Sequence, residues 1–142
     1  MAKKLKTLIR LHKWTVDERR RELGILLARE DEVQALLTGL EQELVEEQKT
    51  AAEDPTLAGF SYGGYAQRYL EMKGNLVRLL DAIGREILAA QERLAAAYRE
   101  LKTYEEVEKN RAKKELEEAN LKEQKMLDEI ASTRFERAKA ER

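Results

Sequence analysis

Two heptad repeats, separated by one proline-containing break, leave this chain very few folds. With Ile9 at position a, the first a/d seam reads Leu5, Ile9, His12, Val16, Arg19, Leu23, Leu26, Glu30, Val33, Leu37, Leu40 and Leu44. Most of these are apolar and the register does not slip, which is the pattern of a helix burying one narrow stripe against another helix. A second seam reads Ala66, Tyr69, Lys73, Leu76, Leu80, Ile83, Ile87, Ala90, Leu94, Ala97, Leu101 and Tyr104. Beyond Glu108 the charged residues Arg111, Glu115 and Glu118 take the continuing positions, and Leu116, Leu121, Leu127 and Ile130 recur only irregularly.

The break runs from Asp54 to Tyr65 and holds Pro55, the only proline, together with Gly59, Gly63 and Gly64. Proline lacks a backbone donor and restricts the residue before it, so a helix reaching Asp54 is expected to stop there. The glycines offer backbone freedom for a reversal, and Ser61 is expected to cap the helix that follows. The reading is one helical hairpin over residues 1–142, with helix 1 over about 3–52, a turn over about 53–61 and helix 2 over about 62–139. Antiparallel pairing about such a turn brings together residues whose numbers sum to roughly 115, so residue 3 meets roughly residue 112. The second seam therefore fails where the first helix ends. The fold class is all-α, a long antiparallel two-helix coiled-coil hairpin with a C-terminal helical overhang starting near Arg111.

Composition agrees with this and excludes much else. Charged residues make up 39% and apolar residues 42% of the 142, in the proportions of a coiled coil. The formal net charge of −1 gives no overall attraction to nucleic acid, and basic residues past the first dozen positions are interleaved with acids. A nucleic-acid-binding helical arm is thus the weaker alternative, and a generic coiled-coil scaffold or adaptor the stronger one. No apolar run is long enough to span a bilayer, so direct membrane insertion is not expected. There is no cysteine and no signal-peptide pattern, so a cytoplasmic chain is expected. His12 is the only histidine, too few for the usual imidazole metal site, and its seam position suits a register-setting polar residue and not the base of a Ser–His–Asp arrangement. No enzyme, metal or cofactor is read from the sequence. A two-helix pair buries only one seam, which leaves room for weak self-association or an obligate partner.

Two features point to partners. Trp14 falls at heptad position f, opposite the seam, with Leu11 one turn earlier; it either anchors a partner or packs on the neighbouring helix surface. Together with Arg10, and with Lys3, Lys4, Lys6 and Lys13 around them, these residues make one candidate surface. The other is the aromatic cluster at the tip, Phe60, Tyr62, Tyr65 and Tyr69, where a hairpin has little core. Tyr69 is expected to plug the turn, with at least one of the others exposed.

The stretch Leu8-Ile9-Arg10-Leu11-His12-Lys13-Trp14-Thr15-Val16-Asp17-Glu18-Arg19-Arg20-Arg21 and the tip Gly59-Phe60-Ser61-Tyr62-Gly63-Gly64-Tyr65-Ala66-Gln67-Arg68-Tyr69-Leu70 resemble the FliJ family of flagellar type III export proteins. The resemblance extends over the whole chain in length and layout. It implies a cytoplasmic component peripheral to the export apparatus at the membrane, folded like the central stalk of a rotary ATPase. The end bearing both termini would enter the pore of the hexameric export ATPase. Other surfaces would contact the cytoplasmic domain of the export gate and export chaperones. The acidic run from Glu41 to Asp54 is not required by the family. The resemblance does not separate a flagellar from an injectisome system.

Overall fold

A computed structural model describes residues 2–53 and 58–141, with side chains described throughout except over 58–62. All of it except Glu141 is two α-helices, α1 (Ala2–Glu53) and α2 (Ala58–Ala140). Residues 54–57, which include Pro55 and part of the turn expected over about 53–61, lie outside the described residues. The contacts group into two units, a terminal one (1–13 with 99–142) and a central one (14–98).

In the central unit the core is built from Val33, Ile83 and Ile87, with Leu23, Leu26, Leu76 and Leu80 packed against it. Every one of these is an a or d position of the two repeats. Val16, Leu40, Tyr69, Ala90 and Ala97 are also buried, and they too are seam residues. The alternation of β-branched and leucine side chains with alanine lets knobs from one helix enter spaces on the other. Pairing is antiparallel: Arg93 of α2 reaches Glu22 of α1 at 3.7 Å, while Val33, later in α1, packs on Ile83, earlier in α2.

In the terminal unit the same sense of pairing continues. His12 stacks on Tyr104, with ring centroids 4.5 Å apart and planes at 18°. Leu101 is buried, and Leu5 and Ile9 are half-buried. From Ala112 to Glu141 every residue is exposed, because α1, which begins at Ala2, does not lie alongside this stretch. The overhang therefore begins directly after Arg111.

The start of α2 differs from the sequence expectation. The helix begins at Ala58 and not near residue 62, so Ser61 lies inside it and does not cap it. Gly63 and Gly64 are helical, and no described glycine adopts a positive φ. The glycines were expected to make the reversal, but nothing in their backbone departs from helix. Hydrogen bonding along a helix already 83 residues long outweighs the roughly 1 kcal/mol that each glycine costs.

Candidate partner-binding sites

Both expected surfaces are helix faces, so their chemistry depends on which side chains the seam leaves outside. In the terminal unit Arg10 is exposed and Leu11 is 55% exposed. Lys3, Lys4, Thr7 and Leu8 line a shallow groove on the first turns of α1. That first turn carries no acidic residue and the last turn of α1 no basic one, so the charges oppose the helix dipole at both ends. In the central unit Trp14 is 61% exposed, so it does not pack on the neighbouring helix. An exposed indole of that size is available as an anchor.

His12 was expected to be a polar seam residue, and its side chain is 17% exposed between the helices. Its Nδ1 lies 3.6 Å from a Glu100 carboxylate oxygen, and with the Tyr104 stack this fixes one register. Arg19, another polar residue on the seam, forms an ion pair with Glu22 on its own helix at 3.1 Å.

The seam ends in an ion-pair ladder that sequence periodicity recorded only as a failure. Arg111 donates through Nε and Nη2 to the two carboxylate oxygens of Glu108, at 3.0 and 2.9 Å, and through Nη1 to Glu115 at 2.7 Å. These i,i+3 and i,i+4 neighbours satisfy one another along α2 at the edge of the helix pair. The Arg111 hydrogen bonds hold the Glu108 carboxyl below its ordinary value; desolvation works against this, and the charges of Arg111 and Lys6 add to it. The two carboxylates in turn push the Arg111 guanidinium further up. A depressed folded pKa contributes stability above the unfolded value, and that contribution is lost as pH falls through the folded value. Carboxylate titration by NMR is expected to find Glu108 below the usual glutamate range in the native chain. In Arg111→Gln it should move back up, and an unchanged midpoint would break the assignment.

At the tip the expected residues separate. Tyr69 is buried in the seam, with the Lys73 ammonium 5.7 Å above its ring, so it belongs to the core and is not available to a partner. Its d position put it there. Tyr65 is half-buried. The side chains of Phe60 and Tyr62 lie outside the described residues.

Among the described residues no group of three or more histidine, aspartate or glutamate side chains is placed to hold a metal ion. No helix among them is long and apolar enough to cross a membrane. Sequence reasoning missed one surface of the central unit, a groove lined by Leu36, Gly39, Met72 and Asn75 on one side of the helix pair. Those residues flank the seam, and the a/d pattern alone does not distinguish such positions from solvated ones.

The fold and its surfaces define a coiled-coil hairpin protein that presents side chains along helix faces. The family model described as "Flagellar FliJ protein" matches residues 1–140, and the chain belongs to the FliJ family of flagellar export components. No curated protein and no solved structure matches it.

Proposed function

We propose that the protein is the non-enzymatic coiled-coil stalk of the hexameric export ATPase, and that it links this ATPase to the cytoplasmic domain of the export gate and to export chaperones. The observation that carries the reading is the terminal unit. There a basic helix start and a bare helix, exposed from Ala112 to Glu141, belong to one compact body. A ring pore lined by polar loops takes an inserted helix that presents charge and a few apolar anchors. Lys3, Lys4, Lys6 and Arg10 supply charge, Leu11 is an exposed apolar contact, and Leu116, Leu127 and Phe135 are exposed on the overhang. Trp14, in the central unit, adds a separate anchor.

The test is co-sedimentation of the full chain with the assembled ATPase across a salt series. Binding is expected, and it should weaken as screening shortens to about 3 Å at molar ionic strength. No binding at low salt would remove the stalk reading.

The tip residues Phe60, Tyr62 and Tyr65 are the proposed gate contacts, without Tyr69. Changing all three to serine is expected to leave helicity by circular dichroism nearly intact while abolishing capture of the gate's cytoplasmic domain. A collapse of helicity would make them turn plugs and end the gate claim.

A further inference from the structure

The central unit carries a second heptad stripe on α2 that α1 does not cover. Val77, Gly84, Gln91 and Tyr98 recur every seven residues, with Gly74, Asp81, Leu88 and Ala95 between them at the spacing of a coiled-coil seam. Leu88 is 63% exposed, Val77 47% and Tyr98 43%. On a helical wheel this stripe lies about 100° from the seam that faces α1, the offset of a helix with two helical neighbours. A side chain added at Gly84 would meet no atom within 4 Å, and one at Gly74 would meet only the flexible end of Arg78. Packing within the chain does not call for either glycine, although each costs about 1 kcal/mol in a helix.

We propose that this stripe is the interface of an antiparallel homodimer, with α2 of one copy lying against α2 of a second about a twofold axis near Glu86. The second copy is favoured over other occupants because the stripe is complementary to itself in that register. Gly84 of one copy falls opposite Leu88 of the other, and Gly74 opposite Tyr98, so each glycine receives a large side chain. Val77 meets Ala95. Asp81 meets Gln91, a hydrogen-bonding polar layer of the kind that fixes register in coiled coils.

The flanking charges agree. Arg78, Arg85 and Glu92 all occupy the heptad position farthest from α1. In the same register Arg78 of each copy faces Glu92 of the other, an attractive pair on both sides of the axis. Arg85 faces its own counterpart, and its charge is already offset by its ion pair with Asp81. A shift of one heptad places Leu88 against Val77 or Gln91 and Gly84 against Asp81 or Ala95, which breaks the glycine layers.

Sedimentation equilibrium of the full chain over a concentration series tests the proposal. A reversible dimer is expected. Leu88→Lys should leave circular dichroism unchanged and weaken dimerisation at least about tenfold, as losing an interface anchor does. Arg78→Glu and Glu92→Arg should each weaken it, and the double variant should restore it, because the reversed pair is again attractive. Both residues are exposed and point away from α1, so their variants fold. The chain has no cysteine, so oxidation of Arg85→Cys should trap a disulfide-linked dimer, whereas Met72→Cys, outside the stripe, should not. A monomer at every concentration, no rescue by the double variant, or preferential cross-linking through position 72 would each overturn the proposal.

Discussion

Ile83→Asp is expected to unfold the central unit. Ile83 is 3% exposed and sits between Val33 of α1 and Ile87 of its own helix, in the best-buried part of the seam. The substitution removes the buried methyl groups, leaves a cavity and places a carboxylate where no polar group is at hand. A cost of about 3–5 kcal/mol follows from those combined effects. That is comparable to the whole stability expected of a small domain, so the variant should lose most of its cooperative thermal transition. Ile25→Asp is the control, because Ile25 is 62% exposed on the flank of the same helix pair. Its cost should stay below about 1 kcal/mol. Similar melting of the two variants would mean that the a/d seam does not hold the pair together.

Trp14→Ala is expected to have a large effect on binding and a small one on folding. The indole is 61% exposed and sits opposite the seam, so truncation removes little buried area. At an interface, a large aromatic anchor is typically worth about 2 kcal/mol or more, roughly a thirtyfold loss of affinity for the ATPase. Calorimetric binding and thermal melting of the same preparation separate the outcomes. Unchanged binding would remove Trp14 from the docking surface. A large fall in melting temperature with unchanged binding would assign it to the fold.

The hairpin was legible in the sequence because burial in a coiled coil follows a strict period. Val16, Val33, Leu40, Ile83, Ile87, Ala90 and Leu101 were all seam positions by spacing alone, and all are buried. The overhang was legible for the same reason, since α1 could not reach past Arg111. The start of α2 was not, because Gly59, Gly63, Gly64 and Ser61 are turn-forming and capping residues in isolation, yet lie within a long helix that tolerates them. Tyr69 illustrates both sides: its d position marked it as core, while its aromatic neighbours grouped it with the tip. The Arg111–Glu108–Glu115 ladder was invisible to periodicity, because charge on a seam position reads as a lost apolar contact until side-chain geometry shows the partners. The second stripe on α2 escaped notice because glycine, alanine, aspartate and glutamine there do not register as a hydrophobic repeat.

Which end of the hairpin meets the ATPase is the central claim, and site-specific photo-cross-linking tests it most directly. A photoreactive residue replaces either Leu11, exposed in the terminal unit, or Gly64, exposed near the tip, and each full-length variant is mixed with the assembled ATPase hexamer. The position-11 variant is expected to cross-link to the ATPase and the position-64 variant is not. Cross-linking through position 64 with none through position 11 would contradict the account.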